Sequence, residues 1–354
     1  MSQIYNSVQP EALKDAYREF DTIDFVLTFE NQSLVLDTLQ LEGIIELDDP
    51  ENSYVDSTVG IHSIIDTITV DFQNEGNVQN LTEYPHWVRM YSDVNYQGDD
   101  YYNSHLLSEL RTGGRDYGAG LFNKTTKQVS PDFCFKPLIC LNQSVGPNKL
   151  SGFSKSGAAS IRIRLSRNVN VLYGENNESN KSYTVSNLKL SYITVEGDSK
   201  EPVQMRTYVQ LKQVLDSQLT NINTRVPAIC DGVACTFIDI SKLNDPVYNQ
   251  LQTEGLPGID EVVFMFNDST NTYITYPLRT PEEIALHYYE SLNETGHTAL
   301  STQRSVNNYG IGLKFMDFID LRNQKFNIQI KSSVIKCICF LLVFYQCKYI
   351  FYCF

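Results

Sequence analysis

The run SIRIRLSRNVNVLYG (160–174), followed after a polar loop by SYTVSNLKLSYITVEG (182–197), decides the fold of this chain. In the first run, isoleucine and leucine alternate with arginine and serine, and in the second run leucine and tyrosine alternate with lysine and serine. A period of two places one set of side chains on a core and the other set in water or against a partner. Both runs are therefore predicted to be β-strands.

The same alternation returns along most of the chain, and helices are few. Strands are predicted at 23–47, 62–72, 160–174, 182–197, 219–240, 309–319 and 325–331, and a hairpin of two strands is predicted at 261–268 and 272–277. A short helix is predicted at 81–94, and a second at 279–292, where Thr280 and Glu283 have the spacing of a capping box. Residues 204–215 fit a strand or a helix. The pattern predicts an all-β fold, a jelly-roll β-sandwich with a few short helices.

The domain organisation is predicted from changes of composition. Residues 1–20 are expected to form a polar N-terminal arm, and residues 21–333 one jelly-roll protomer. An inserted or appended outer domain is expected within 95–157 or 240–305 of that protomer. The last segment, 334–354, is a hydrophobic C-terminal tail that is long enough to cross a bilayer, although two lysines and a glutamine interrupt it. A membrane anchor and an artefact of gene prediction are both open interpretations of this tail.

Charge and cysteine content exclude several classes of protein. The net charge of -14 makes direct binding to nucleic acid unfavourable, because an acidic surface repels phosphate. The eight cysteines lack a C-x-x-C pair, so we expect reduced thiols instead of a zinc site or a disulfide framework. The charged N-terminus carries no apolar segment and predicts no signal peptide.

No catalytic constellation accompanies the strands. The Gly-rich RTGGRDYGAG (111–120) lacks the spacing of a phosphate-binding loop, and no G-x-S-x-G is present. Carboxylates at 48–51 and 99–100 lack the spacing of a calcium loop. We therefore predict a protein that is not an enzyme and that needs no cofactor.

One row of charges is predicted to be functional. Arg162, Arg164 and Arg167 lie on one strand and just beyond it, in an otherwise acidic chain. Guanidinium groups form strong two-pronged contacts with carboxylates, and such pairs fix the register of an interface. We predict that this arginine row pairs with carboxylates of a neighbouring subunit, against the alternative of a solvated sheet face.

The order of these segments resembles a viral protein family. The pieces that carry the resemblance are LDTLQLEGIIEL (36–47) and the stretches 60–90, 152–197, 219–238, 274–292 and 307–330. Together they resemble the penton, or minor capsid, protein of virophages, polinton-like elements and adenovirus-like viruses. The most specific piece is the pair of strands at 152–197.

The resemblance implies a structural protein of the virion that forms the pentameric icosahedral vertex by self-assembly. Its partners would be itself, as a homopentamer, and the major capsid protein, which the N-terminal arm would reach. Assembly would take place in the host cytoplasm or nucleus. Two alternatives stay open: a carbohydrate- or cell-surface-binding β-sandwich, with or without a tail anchor, and a double jelly-roll major capsid protein.

Overall fold

The computed structural model places the chain in two β-sandwiches that follow one another in sequence. The structure describes residues 2–29, 31–73, 76–95, 108–111, 132–144, 150, 157–174, 181–197, 203–215, 217–225, 229–252, 259–267, 272–292, 310–320, 325–332 and 337–349.

The N-terminal sandwich contains the first nine strands, which are β1 (Gln3–Val8), β2 (Thr22–Thr28), β3 (Gln32–Leu34), β4 (Gln40–Leu47), β5 (Ile65–Phe72), β6 (Gly76–Leu81), β7 (Asp132–Phe135), β8 (Ala158–Leu165) and β9 (Tyr183–Glu196). Its two helices are α1 (Tyr84–Asn95) and the single turn α2 (Asn168–Val171). Sheet A has the order β1-β9-β4-β7, with β3 also paired to β9, and sheet B has the order β2-β8-β5-β6.

The C-terminal sandwich contains the remaining strands, which are β10 (Val203–Leu215), β11 (Leu219–Arg225), β12 (Ile229–Asp239), β13 (Ile259–Asn267), β14 (Thr272–Leu278), β15 (Ile311–Asp320), β16 (Lys325–Ser332) and β17 (Cys337–Tyr349). Its helix is α3 (Pro281–Leu292). Sheet C has the order β10-β17-β12-β15, and sheet D has the order β11-β16-β13-β14.

The two sandwiches share one topology. When the short β3 is set aside, sheets A and C both contain the first, last, third and sixth strands of their sandwich, and sheets B and D contain the second, seventh, fourth and fifth. All strand pairs in these sheets are antiparallel. Eight strands that cross between two facing sheets in this way form a jelly roll. The predicted all-β, jelly-roll fold class is confirmed.

The predicted alternation is confirmed in β8 and sets the position of the core. Ile161, Ile163 and Leu165 are buried between sheets A and B, whereas Arg162 and Arg164 are exposed. Strands β8 and β9, adjacent in the chain, do not pair with each other. Strand β8 pairs with β2 and β5, and β9 pairs with β1, β3 and β4.

The predicted helices and the hairpin agree with the structure. Helix α1 starts three residues later than predicted and ends one residue later. In α3 the capping box forms, because the Glu283 backbone N–H donates to Thr280 Oγ1 at 3.2 Å and the Thr280 backbone N–H donates to Glu283 Oε2 at 3.2 Å. Strands β13 and β14 form the predicted hairpin, and the ambiguous residues 204–215 lie in strand β10.

The strand pairing differs from the predicted domain boundaries at both ends of the chain. Residues 3–8 of the expected arm form strand β1 at the edge of sheet A, and Tyr17 is buried and bridges to Val185. Most of the apolar tail forms β17, which lies between β10 and β12 in sheet C.

The regions expected to hold an outer domain also contribute sheet strands. Within 95–157 the structure describes β7, which pairs with β4, and the rest of the expected insertion at 96–107 and 112–131 lies outside the described residues. Within 240–305 the structure places β13, β14 and α3, which belong to the C-terminal sandwich. The expected single sandwich over 21–333 is therefore replaced by two. In the described residues, no helix combines the length and apolar character needed to cross a membrane.

Candidate assembly surfaces

The predicted arginine row lies on the outer face of sheet B, where its members bond within the chain. Arg162 Nε donates to Asp24 Oδ1 at 2.6 Å, and this hydrogen bond raises the pKa of Arg162. The strands explain the contact, because Asp24 in β2 lies directly opposite Arg162 in β8. The arginine side chain is 60% exposed, so the pair is a surface ion pair.

The other two arginines diverge from the first. Arg164 Nε lies 3.9 Å from Asp66 Oδ2, and its guanidinium lies 5.6 Å from the centre of the Phe20 ring. Arg167 lies beyond the strand and donates to Asn244 Oδ1 in the C-terminal sandwich at 2.8 Å. Two of the three residues thus share one sheet face, and the third bridges the sandwiches. Pairing of the row with another subunit stays a prediction.

A contact surface joins the two sandwiches, and we call it the internal junction. Its apolar centre is Trp87 of α1 against Tyr208 of β10, with ring centres 4.1 Å apart. Tyr208 is 2% exposed, and its hydroxyl donates to Gln143 Oε1 at 2.6 Å. Burial of two large aromatic rings supplies most of the contact energy of such an interface.

Polar pairs surround this aromatic centre. Thr82 Oγ1 donates to Gln210 Oε1 at 3.0 Å, and Lys212 Nζ donates to Glu83 Oε1 at 2.6 Å. Gln210 and Lys212 belong to β10 of the C-terminal sandwich. Thr82 and Glu83 follow the end of β6 in the N-terminal sandwich. The outward side chains of the edge strand of sheet C therefore rest on the N-terminal sandwich.

A buried charge locks the junction at the long connections between strands. Asp56 Oδ2 accepts from Arg89 of α1 at 2.6 Å and from Asn249 of the β12–β13 connection at 2.6 Å. Asp56 Oδ1 accepts from the backbone N–H groups of Thr58 and Val59. Burial alone would raise the pKa of Asp56, but the Arg89 charge and these hydrogen bonds hold it below its usual value. We call these groups the Asp56 cluster.

A histidine at the same junction is kept neutral. His86 of α1 lies 4.0 Å from Glu83, yet burial lowers the pKa of His86 to about 4. The imidazole is therefore uncharged near neutral pH, and the positive charge at this place is that of Lys212.

A second buried charged group lies inside the N-terminal sandwich. Arg111 Nε donates to Glu109 Oε2 at 2.7 Å, and His62 Nε2 lies 3.6 Å from the same oxygen. Gly60 makes this close approach feasible. It has a positive φ of 58°, and a Cβ there would lie 2.1 Å from the Glu109 carbonyl oxygen. The sequence pattern places Arg111 only in a Gly-rich loop. No spacing in the sequence indicates that Glu109 is its buried partner.

The outer face of sheet A contrasts with the internal junction, and we call it the open face. Its outward side chains are those of Tyr5, Ser7, Lys189, Ser191, Ile193 and Glu42. Tyr5 is 78% exposed and lies directly opposite Ile193. Glu42 accepts from Lys189 at 2.8 Å and from Ser191 at 2.6 Å, so the middle of the face is polar and ordered.

The described residues offer no set of metal ligands. In these ranges no group of three or more His, Cys, Asp or Glu side chains converges, and Cys134, Cys140 and Cys235 are free thiols.

Comparison with known proteins places the fold among viral capsid proteins. No family model and no curated protein matches the sequence. A chain from the 3.5 Å cryo-EM structure of the Sputnik virophage is similar with a TM-score of 0.58 and 8% identity, over 98% of this chain and 85% of that chain.

Two similar structures are major capsid proteins. The Faustovirus major capsid protein gives a TM-score of 0.57 at 8% identity, over 98% of this chain and 89% of its own. The mavirus major capsid protein gives a TM-score of 0.51 at 11% identity, over 97% of this chain and 87% of its own. At such low identity the likeness establishes the fold alone, and that fold is one that viral capsid proteins use over their nearly full length.

Proposed function

We propose that this chain is a structural protein of a virion, a double jelly-roll capsid protein of the major type. The observation that carries the proposal is the tandem repeat of one strand order in two sandwiches, matched by capsid chains over 97–98% of this sequence. This reading corresponds to the second alternative of the sequence analysis. It accounts for the strands after residue 203, which a single jelly roll leaves without a role.

The vertex role predicted from the sequence has weaker support. The named neighbours are major capsid proteins, and the pentamer and a separate major capsid partner stay predictions. The resemblance to a minor capsid protein implied one sandwich plus an outer domain. Two sandwiches remove that assumption.

The proposed activity is assembly, and the internal junction indicates its geometry. The chain turns from one sandwich to the next through a rigid contact that buries Trp87, Tyr208 and the Asp56 cluster. If the same step is repeated between chains, the contacts are head-to-tail and close into a ring. A ring of six sandwiches suits the sixfold positions of a shell, and it contains three copies of the chain. Interfaces in such rings bury on the order of 2,000 Å² or more.

The proposal is tested by measuring the mass of the oligomer that the purified full chain forms. We expect an oligomer of three times the 40.4 kDa chain mass by native mass spectrometry, and rings or shells by electron microscopy. A mass five times that of the chain would restore the vertex role. A stable monomer that binds glycans would overturn the proposal in favour of a carbohydrate-binding module.

A further inference from the structure

Two equivalent strands each carry an outward-facing tyrosine, and one of these tyrosines is buried whereas the other is exposed. Strand β10 is the first strand and the edge of sheet C, and strand β1 is the first strand and the edge of sheet A. Tyr208 on the outward face of β10 is 2% exposed, because it rests on Trp87. Tyr5 on the outward face of β1 is 78% exposed. The chain thus covers one of two equivalent faces with its own sandwich and leaves the other uncovered by its described residues.

The surface that covers Tyr208 also has an equivalent in the chain. Strand β6 ends on the buried Leu81, and two residues, Thr82 and Glu83, lead into the twelve-residue helix α1. Strand β14 likewise ends on the buried Leu278, and two residues lead into the twelve-residue helix α3. The position of Thr82 corresponds to Arg279.

These two corresponding places differ in what they contact. Thr82 and Glu83 bind the outward side chains of β10 at the internal junction. The Arg279 side chain is 71% exposed and touches Glu261 of its own sandwich at 2.8 Å. Glu11, three residues beyond the end of β1, is exposed and carries a carboxylate, the kind of group that pairs with a guanidinium.

From these correspondences, and resting on the assembly function proposed above, we infer that a second copy of this chain docks on the open face. The β14 end of that copy, with its Arg279, covers Tyr5 and Ile193 as the β6 end covers β10 within one chain. The contact is head-to-tail, so each copy offers its open face to one neighbour and its Arg279 side to the other. Tyrosine is enriched in protein interfaces, and Tyr5 lies beside the aliphatic Ile193 at the β1 edge of the open face.

The test uses one disabling substitution on each side of this contact. Tyr5→Asp places a charge on the apolar β1 edge of the open face, and Arg279→Glu reverses the charge on the opposite side of the contact. Leu219→Asp is the matched control, because Leu219 is a 50% exposed strand residue at the other edge of sheet D. We expect each of the first two variants to raise the concentration of half-dissociation at least about tenfold, and the control to leave it unchanged.

A mixing experiment separates this contact from other modes of association. In a head-to-tail contact, the intact Arg279 side of the Tyr5→Asp variant fits the intact open face of the Arg279→Glu variant. A mixture of the two, one labelled with heavy nitrogen, should therefore give mixed dimers by native mass spectrometry, whereas each alone gives monomers. Absence of mixed dimers, or a Tyr5→Asp variant that assembles like the unchanged chain, would overturn the inference. If the unchanged chain is itself a monomer, the proposed function fails first.

Discussion

Sheet A and sheet C have the same strand order and edges, yet their outer faces have different surroundings. The outward tyrosine of β10 is buried against α1, and two polar pairs from the β6 end lie beside it. The outward tyrosine of β1 has most of its surface exposed. Where one chain repeats a fold, the contact between its two copies shows which surface the unpaired copy still has to offer. From this comparison we expect Tyr5, which is exposed in a single chain, to be covered when copies assemble.

The largest expected difference between the two faces is in how much each tyrosine contributes to the free energy of unfolding of a single chain. Tyr208→Ala should lower the free energy of unfolding by about 3–5 kcal/mol, because it removes a buried ring and the hydrogen bond to Gln143. Tyr5→Ala should change it by less than about 0.5 kcal/mol. Urea unfolding under conditions where the chain is monomeric measures both. Similar losses in the two variants would show that the faces are equally covered in one chain.

A second comparison sets the buried ion pair of the junction against the exposed pair of sheet B. Asp56 and Asp24 each contact an arginine at 2.6 Å, but only Asp56 is fully buried. Asp56→Asn should cost about 3–5 kcal/mol of unfolding free energy, because it leaves Arg89 buried without its main counter-charge. Asp24→Asn should cost less than about 1 kcal/mol. Denaturant titration of the two isosteric variants tests this, and equal costs would mean that the Asp56 cluster does not lock the sandwiches together.

Acid should weaken the internal junction through His86. The folded-state pKa of about 4 lies below the ordinary value of 6.5, so the unfolded chain binds the proton more readily. Stability is therefore full above pH 6.5 and falls as the pH decreases towards 4, by up to about 3 kcal/mol. Asp56, whose pKa is also lowered, loses its contribution only below its ordinary value of 3.8.

The histidine contribution is measured as a difference between two pH profiles. We expect a His86→Gln variant to show a flatter decline of unfolding free energy between pH 6.5 and 4 than the unchanged chain. Parallel profiles would assign the acid sensitivity to groups other than His86.

The sequence predicted the parts of the fold that depend on local pattern. Alternation in β8 placed Ile161 and Ile163 inside and Arg162 outside, and the capping box placed the start of α3. Such signals succeed because the period of a strand and the cap of a helix are set by neighbouring residues.

The sequence did not predict the parts that depend on distant residues. Strand β17 has the apolar composition of a membrane span, and its place in a sheet follows only from its pairing with the distant β10 and β12. The contact of Asp56 with Asn249 joins residues 193 positions apart, and no spacing indicates it. The tandem repeat was hidden for the same reason, since the two sandwiches share strand order and not sequence.

The smallest expected effect on folding concerns the arginine row. Replacing both Arg162 and Arg164 by glutamine should change the unfolding free energy by about 1 kcal/mol or less, because both side chains are at least half exposed in their pairs with Asp24 and Asp66. Assembly of the same variant decides what the row does. If it pairs with a neighbouring subunit, the variant should assemble more weakly and with a smaller dependence on salt, because ion pairs at an interface are screened. Unchanged assembly would leave the open face, and not sheet B, as the surface on which copies meet.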